Sequence, residues 1–381
     1  MRITGVRSLP LFTPVGDFFF VIVETDQGIK GIGEAARMQW MRSIQEAVTH
    51  LEGWIVGRDP FQIETLYQLM TRGCYPPLAK VVYAAISAID IALWDIKGKA
   101  LGVPVYTLLG GPVRDRLACY RKATGRTWEE LLENCRRRIA EGWRFVRIGA
   151  TDDSPPGVWD PSSAVVNTVK KVEQIRNVVG PEIEICIDVH TKMDTAMVIR
   201  LARALEPFRI FFLEDPIRSE NPASYRTLAR HMSVPLAAGE QWISRWEFRE
   251  VIEDELIRYA RVDLGIAGGI SETLKIAHAC ETHYIDLVPH NPNGPAGLAA
   301  AAHVCFAVPN AAVLELVVAP GEALTDVFPV QLEVIGGHLI ATQRPGLGIE
   351  IDERAASHYL EGESLRPPAT LRRPDGSLNN G

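Results

Sequence analysis

Six ionisable residues recur at nearly constant intervals through the second half of the sequence. Successive members are separated by 26, 26, 23, 27 and 25 residues, and each follows a short apolar run: Asp188, Glu214, Glu240, Asp263, His290 and Glu315. One strand, one crossover helix and two short loops have about this combined length. Parallel strands joined by right-handed crossovers all point the same way, so their ends meet at one rim of a closed barrel. The spacing therefore predicts that carboxylates and a histidine converge on one barrel mouth.

The first three acids, Asp188, Glu214 and Glu240, come from three successive predicted strands. Carboxylates this close repel one another unless they are protonated or neutralised by a cation. Ligation by oxygen alone suits Mg²⁺ better than a softer metal, and the sequence offers no cysteine or paired histidine for Zn²⁺. Each acid could instead cap the following helix or pair with a basic side chain. Three acids at such regular spacing favour a magnesium site.

Asp263 and His290 lie at the ends of neighbouring predicted strands. An aspartate that binds one imidazole nitrogen fixes the tautomer and raises the basicity of the ring, and it leaves the other nitrogen free to take a proton. A single histidine in a barrel is often only a satisfied polar group of the core. The pairing with an aspartate at matching depth indicates a general base.

Three further residues are candidates for the same mouth. His190 stands two residues beyond Asp188, on the same side of an extended strand, and we expect it to act as an acid toward a leaving hydroxyl; a rim-loop histidine is the alternative. Glu315 is expected to hydrogen-bond a developing enolate oxygen, as the better donor when protonated, unless it forms a plain salt bridge. Trp242 is expected to bind substrate at the rim or else to pack in the core.

The elements that position these residues fall into two predicted units. Residues 1–36 read as three strands, and helical patterns follow near 41–56, 61–70 and 80–101, which indicates an α+β unit. From about residue 117 short apolar runs alternate with helical segments such as 128–141, 162–178, 196–204 and 271–282, as in a parallel α/β barrel of eight strands. We predict an α+β domain over 1–115, a barrel over 116–325, and a tail over 326–381 that folds back and completes the first domain.

Composition excludes several classes of function. A chain of 381 residues with 47% hydrophobic residues favours a globular protein of two domains. A net charge of -7 gives no footprint for nucleic acid. The most apolar stretch, residues 81–93, is interrupted by Asp90, so no membrane span is predicted. The start of the chain lacks the pattern of an export signal, and six cysteines without CxxC spacing fit a cytoplasmic protein.

Almost the whole sequence resembles the mandelate racemase subgroup of the enolase superfamily, and within it acid-sugar dehydratases of the galactonate dehydratase type. The resemblance lies in ALWDIKGKALGVPVYTLLGG, CIDVH, FLEDP, PLAAGE, VDLGIAGGI, PHNPNGP, PGLGIEID and RRPDGS. It implies a (β/α)7β modified TIM barrel with an N-terminal capping domain. It also implies Mg²⁺ on Asp188, Glu214 and Glu240, with a His290–Asp263 base, Glu315 beside it and His190 as the acid.

The resemblance further implies a reaction and a class of substrate. The base would remove the proton α to the carboxylate of an acid sugar, which gives an Mg²⁺-stabilised enediolate. Loss of the β hydroxyl would then yield a 2-keto-3-deoxy sugar acid, with a galactonate-type or gluconate-type aldonic acid as the expected substrate. Relatives commonly assemble as homo-oligomers, so a homo-oligomer is expected here.

The sequence departs from the racemases of the subgroup at the second barrel strand. Many of them carry Lys-x-Lys there, with the second lysine as a base, whereas FVRIGA places Arg147 and Gly149 at these positions. Arg147 is expected to bind the substrate carboxylate or to form a salt bridge at the rim. The missing lysine favours dehydration, but two alternatives stay open: an epimerase or racemase that uses His290 and His190, and a non-catalytic sugar-acid binding protein.

Overall fold

A three-stranded antiparallel sheet in the order β1-β2-β3 begins the computed structural model, which describes residues 1–362 and 370–380. The strands are β1 (Ile3–Thr13), β2 (Gly16–Thr25) and β3 (Lys30–Ala35). The helices that follow are α1 (Met41–Ile55), α2 (Ile63–Arg72), α3 (Lys80–Leu101) and α4 (Val105–Leu108). This is the α+β capping unit that the sequence pattern predicts. No helix within the two described ranges is long and apolar enough to span a membrane.

Strand β2 is buried on both of its faces, which explains its unbroken apolar sequence FFFVIV. Side chains alternate along a strand, so Phe18 and Phe20 point one way while Phe19 and Val21 point the other. Phe18 and Phe20 belong to the same buried cluster as the barrel side chains. Phe19 and Val21 pack in a second cluster with the helices of the capping unit. The capping sheet therefore separates two apolar cores.

Eight parallel strands form a closed barrel after the capping unit. They are β4 (Arg116–Lys122), β5 (Phe145–Gly149), β6 (Glu184–Asp188), β7 (Phe212–Glu214), β8 (Leu236–Ala238), β9 (Tyr259–Ala260), β10 (Asp286–Leu287) and β11 (Leu314–Glu315). Neighbours pair in sequence from β4 to β10, and β11 pairs with β4. A parallel bridge from Leu287 of β10 to Ala311, just before β11, closes the ring. A helix follows each of the first seven: α5 (Trp128–Ala140), α6 (Pro161–Val179), α7 (Thr195–Leu205), α8 (Ser224–His231), α9 (Arg245–Glu253), α10 (Gly269–Glu281) and α11 (Pro295–Ala307). The predicted (β/α)7β order is confirmed.

A layer of buried side chains packs inside the ring of strands. Each of the eight strands, or the loop beside it, contributes a side chain to this layer or to its edge. Phe145 of β5 is partly buried at the edge, and the buried members are Tyr120, Cys186, Phe212, Ala237, Tyr259, Val288 and Val313. Such layers make the interior of a barrel a packed core and leave its chemistry to the carboxyl ends of the strands. The ionisable residues of the predicted site lie at those ends.

The chain after the barrel contacts both units. Strand β12 (Glu333–Ile335) and strand β13 (His338–Ile340) form a hairpin, and β13 pairs antiparallel with β4. The expectation that the whole tail completes the capping domain is therefore wrong for this strand, because it extends the barrel sheet. Further on, Leu347 N donates to Asp95 of the capping unit at 2.8 Å, and helix α12 (Glu353–Ala356) begins with a glutamate that pairs with Arg7 at 2.7 Å. Residues 363–369 and 381 of the predicted tail lie outside the described residues, and the domain limits at 115 and 325 stay predictions.

A buried carboxyl group of the capping unit contacts the start of barrel helix α10. Asp90 on α3 accepts hydrogen bonds from Ser271 N at 3.0 Å and from Ser271 Oγ at 2.5 Å. Burial raises the pKa of Asp90 from 3.8 to about 7, against the weaker opposing effect of the two hydrogen bonds. A group with a raised folded-state pKa binds its proton more tightly in the folded protein than in the unfolded chain.

This raised pKa predicts a loss of stability as the pH increases. Between about pH 4 and pH 7 the folded protein holds the Asp90 proton that the unfolded chain has released, so the free energy of unfolding falls by up to about 1.4 kcal/mol per pH unit. Asparagine mimics the protonated acid, so Asp90→Asn should remove this part of the slope. Urea unfolding at several pH values, with a chelator present, measures it. Asp153→Asn, at an exposed position, is the control, and equal slopes for Asp90→Asn and the unmodified protein would contradict the prediction.

Candidate active site

The predicted acids lie together at the carboxyl ends of the barrel strands. Asp188 ends β6 and Glu214 ends β7, and the two residues are direct neighbours in the parallel pairing of these strands. Glu240 follows the end of β8 by two residues. Glu214 is fully buried, Asp188 is 8% exposed, and the Glu240 side chain is 9% exposed. Sequential strand pairing thus brings the three acids to one edge of the barrel.

Arg147 on β5 lies among these acids. Its Nη2 donates to Asp188 Oδ2 at 2.6 Å and to Glu214 Oε1 at 3.3 Å, and its Nε donates to Glu214 Oε2 at 3.1 Å. Its Nη1 is 3.7 Å from Glu315 Oε1. The salt-bridge alternative for Arg147 is therefore what the structure shows, and only 8% of the residue is exposed. Arg147 is a buried counter-charge that links three carboxylates.

A second arginine, Arg261, lies deeper in the barrel and was not predicted as a site residue. Its Nη2 donates to Glu214 Oε1 at 2.5 Å and to Glu315 Oε2 at 2.7 Å, and its Nη1 donates to the Tyr120 hydroxyl at 2.6 Å. Its side chain is fully buried. Arg261 stands two residues before Asp263, so the period of two along a strand offers a signal in the sequence for its inward direction.

The two arginines keep Glu214 and Glu315 ionised. Burial raises the pKa of each carboxyl group, but the charges of Arg261 and Arg147 outweigh burial and hold both pKa values below their usual range. Glu315 forms the salt bridge that was the alternative for it, with Arg261 Nη2 at 2.7 Å from its Oε2. Glu315 is a carboxylate acceptor, and it also accepts from Asn291 N at 3.1 Å.

The chemistry of the acid cluster fits a hard divalent cation. One carboxylate oxygen each from Glu214, Asp215 and Glu240 lies within 4.8 Å of the other two. Asp215 Oδ2 and Glu240 Oε2 are buried and have no hydrogen-bond partner among the described residues. Buried acceptors of this kind require a donor or a cation. An all-carboxylate set meets the preference of Mg²⁺ for oxygen ligands.

Asp188 stands beside this group, where Arg147 binds its Oδ2, and its other oxygen accepts from His190 N at 2.7 Å. Burial and the charge of Glu214 raise the pKa of Asp188 to about 6. Asp215, directly after Glu214 in FLEDP, was not predicted. The signal for it was its place next to a predicted ligand at a strand end.

His290 and Asp263 form the predicted pair. His290 Nδ1 is 2.8 Å from Asp263 Oδ2, and Nε2 is 3.5 Å from Glu240 Oε2. Burial lowers the pKa of His290, but the charge of Glu240 and the hydrogen bond and charge of Asp263 outweigh it and raise the pKa to about 10. In the neutral ring, the carboxylate on Nδ1 holds the proton there and leaves Nε2 without one. Nε2 is consequently the nitrogen that faces the acid cluster.

His190 is at the mouth, but for a different reason from the one that the sequence suggested. Strand β6 ends at Asp188, and His190 has a left-handed backbone with φ 53°. Alternation along an extended strand therefore does not determine its direction, and that expectation is wrong. The residue is exposed, and its imidazole is close enough to lower the pKa of Asp188.

Trp242 does not line the mouth. Its ring packs edge-on against Tyr225 at 5.7 Å and Phe248 at 5.0 Å between ring centroids. Its Nε1 donates to Ser219 O at 3.2 Å, and only 2% of the residue is exposed. The expectation that Trp242 binds substrate is wrong, because a turn after Glu240 directs the indole into the space beneath helix α9.

Comparisons with known proteins agree with this arrangement. Residues 12–110 match the N-terminal domain of the mandelate racemase / muconate lactonizing enzyme family, and residues 130–355 match the enolase C-terminal domain-like family. The D-galactonate dehydratase of Xanthomonas oryzae pv. oryzae (strain PXO99A) is 38% identical over 379 residues, which is 98% of this chain and 99% of that protein. The D-galactonate dehydratase of Verminephrobacter eiseniae (strain EF01-2) is 39% identical over 342 residues, which is 88% of this chain and 89% of that protein.

A solved structure is similar over the full length. The crystal structure of an enolase from Pantoea ananatis with bound D-gluconate and Mg has a TM-score of 0.93 at 31% identity, and the match covers 100% of both chains. Two domain matches and relatives above 30% identity along nearly the whole chain are decisive for the family. The chain belongs to the mandelate racemase / muconate lactonizing enzyme family of the enolase superfamily.

Proposed function

We propose that this protein is an Mg²⁺-dependent acid-sugar dehydratase that acts on a galactonate-type or gluconate-type aldonic acid. The observation that carries the proposal is the direction of His290: Asp263 binds Nδ1 while Nε2 faces the buried acids. The names of the relatives support the reaction, since both are D-galactonate dehydratases. The similar structure with D-gluconate and Mg supports the class of substrate and the metal.

His290 is the general base in this proposal. The charge of Glu240 is the largest of the causes that raise the pKa of His290, so Mg²⁺ on Glu240 would lower that pKa and leave Nε2 unprotonated. Nε2 then takes the proton from the carbon α to the substrate carboxylate, and the C–H electron pair becomes part of an enediolate anion. The Nδ1 proton stays on the imidazole, where Asp263 stabilises the positive charge that the ring gains. The 2.8 Å separation between Nδ1 and Asp263 Oδ2 is suited to this role.

Asp188, Glu214 and Glu240 would hold the Mg²⁺, with the Asp215 carboxylate beside them. When bound, Mg²⁺ neutralises part of the negative charge of these acids and stabilises the second negative charge that the substrate acquires when it loses its α proton. Arg147 and Arg261 oppose the repulsion among the acids from the other side. They keep Glu214 ionised, as a metal ligand must be.

The second step of the proposed reaction is loss of the β hydroxyl. The electron pair of the enediolate forms a carbon–carbon double bond, the β carbon–oxygen bond breaks, and His190 supplies a proton so that the hydroxyl leaves as water. The enol then becomes the 2-keto-3-deoxy acid. An exposed imidazole at the mouth, next to Asp188, is suited to this exchange of protons with solvent.

Arg147 and Glu315 complete the proposed site. The guanidinium of Arg147 is directed at the same acids that would bind the metal, so it borders the place of the substrate carboxylate and can attract it. Glu315, which Arg261 keeps ionised, can accept a hydrogen bond from a substrate hydroxyl. Both roles follow from charge and location at the barrel mouth.

A dehydration assay tests the function. The protein is incubated in heavy water with D-galactonate or D-gluconate and Mg²⁺, and nuclear magnetic resonance follows the substrate and products. We expect a 2-keto-3-deoxy acid to form, and we expect a metal chelator to stop its formation. Exchange of the C2 proton for deuterium without the keto-deoxy product would instead identify an epimerase. Binding without exchange or product would identify a non-catalytic sugar-acid binding protein.

We propose in addition that the protein is cytoplasmic and assembles as a homo-oligomer. All six cysteines are free thiols, and five of them are buried, as expected where thiols stay reduced. Exposed Tyr75 and Trp246 border the same cleft between the capping unit and the barrel, and exposed aromatic side chains are enriched at protein interfaces. Sedimentation of the purified protein measures the assembly.

A further inference from the structure

The end of strand β3 in the capping unit contacts the two barrel loops that carry Asp263 and His290. Ala36 N donates to Gly265 O at 3.0 Å, two residues beyond Asp263. A side chain on Gly265 could not fit there, because its Cβ would lie 2.4 Å from Ala36 N. The capping backbone is therefore in direct contact with the loop that follows Asp263.

Glu34, near the end of the same strand, contacts the second loop. Its Oε1 accepts from Gly294 N at 2.6 Å and its Oε2 accepts from Gly297 N at 2.8 Å. These amides lie at the start of α11, the helix that follows His290. The first amides of a helix lack partners within the helix, and a carboxylate is favourable there. Glu34 is fully buried, so it caps a barrel helix from within the interface between the two units.

Asn293 joins these contacts to the catalytic pair itself. Its Nδ2 donates to Asp263 Oδ1 at 3.3 Å, and its Oδ1 accepts from Arg37 N at 3.3 Å. Gly265 N donates to the same Asp263 oxygen at 2.8 Å, which leaves Asp263 Oδ2 for His290 Nδ1. Asn293 is buried. A continuous series of hydrogen bonds thus runs from the capping backbone through Asn293 and Asp263 to the imidazole.

We propose that Glu34 and Asn293 are positioning residues for the Asp263–His290 pair. Asn293 sets the rotation of the Asp263 carboxylate, and Glu34 fixes the loop from His290 to Gly297. The capping unit thereby orients the base in addition to covering the barrel mouth. The catalytic part of this inference rests on the proposed function. The orientation of His290 by Asn293 is a property of the protein alone.

Two substitutions of Asn293 separate orientation from simple packing. Asn293→Ala removes both hydrogen bonds. Asn293→Asp keeps the size of the side chain and the acceptor for Arg37 N, but it places a carboxylate oxygen against Asp263 Oδ1. Glu34→Gln keeps the size of Glu34 and replaces one acceptor with an amide group that cannot accept. Glu64→Gln is the matched control, because Glu64 also joins the capping unit to the barrel, through Lys275 at 2.7 Å, but on the surface.

The first measurement does not depend on turnover. Protein labelled with ¹⁵N-histidine shows the Nδ1 proton of His290 by nuclear magnetic resonance, with His290→Asn used for assignment. A proton held by a carboxylate resonates far downfield, and we expect both Asn293 variants to shift or lose this signal while Glu64→Gln retains it. An unchanged His290 signal in both Asn293 variants would overturn the proposal.

The second measurement compares kcat with KM for the dehydration. A displaced base slows the chemical step, so kcat should fall about tenfold to a hundredfold in Asn293→Ala, Asn293→Asp and Glu34→Gln while KM changes little. A packing role alone would leave kcat of Asn293→Asp near that of the unmodified protein, and this result would overturn the inference. If the unmodified protein turns over no acid sugar, the proposed function fails, and the resonance of His290 still decides whether Asn293 orients it.

Discussion

Replacing His290 with asparagine is expected to lower the rate of dehydration by about 10²-fold to 10⁴-fold, the usual contribution of a general base. Asparagine can keep a hydrogen bond to Asp263, but it has no nitrogen that takes a proton where Nε2 faces Glu240. Initial rates of formation of the 2-keto-3-deoxy acid, at saturating Mg²⁺, measure the loss. Exchange of the C2 proton in heavy water should fall in parallel, because both processes begin with the same proton transfer.

Two comparisons make this expectation specific. His231→Asn changes a histidine at the exposed end of α8 and should leave the rate unchanged. Calorimetric titration with Mg²⁺ should show that His290→Asn still binds the metal, since the proposed ligands are carboxylates. A His290→Asn variant that retains more than about a tenth of the rate would remove His290 from the role of base.

Replacing Arg261 with methionine is expected to reduce the free energy of unfolding by about 3–5 kcal/mol, as when one partner of a buried ion pair is removed. The substitution keeps much of the volume of the side chain, but it leaves Glu214 and Glu315 buried with one cation fewer between them. Arg147 contacts Glu214 through two nitrogens but lies 3.7 Å from Glu315, so it compensates only in part. Urea unfolding in the presence of a chelator measures the loss.

The matched control is Arg226, which pairs with Glu250 at 2.5 Å on the surface. Arg226→Met should leave the free energy of unfolding nearly unchanged, because solvent screens an exposed pair. In the double variant Arg261→Met, Glu315→Gln the loss should be smaller than the sum of the two single losses, since no unpaired charge remains at Glu315. If Arg261→Met does not fold, Arg261→Lys keeps the charge and should show a smaller loss. A loss near 1 kcal/mol for Arg261→Met would contradict the argument.

Much of the barrel could be predicted from local patterns in the sequence. A strand and its following helix occupy about 25 residues, so regular spacing of acids after apolar runs indicated both the parallel topology and a common edge. Helix α3 begins at Lys80 and ends at Leu101, as the apolar pattern and Gly102 suggested. The Asp263–His290 contact followed from the same reasoning, because the carboxyl ends of neighbouring parallel strands lie side by side at the same rim of a barrel.

The parts that were missed depend on backbone direction or on contacts distant in sequence. Trp242 and His190 follow strand ends, where the chain leaves the extended conformation, and the left-handed backbone of His190 cannot be read from alternation. Glu34 and Asn293 are 259 residues apart in the sequence, and no local sequence pattern indicates that both position the same catalytic pair. The sequence did contain a local indication for Arg261, because it stands two residues before Asp263 and therefore on the same side of the predicted strand. A buried charge inside a barrel is unusual, so the spacing alone does not predict it.

The double burial of strand β2 has a consequence for the evolution of the protein. Phe18 and Phe20 are part of the barrel cluster, and Phe19 and Val21 are part of the helical cluster. Each unit would therefore expose apolar surface if the other were absent. A capping unit exchanged between relatives would therefore have to match the apolar barrel surface that it covers. Substitutions in loops at the rim leave this shared sheet intact, so substrate specificity can change through them without exposing either core.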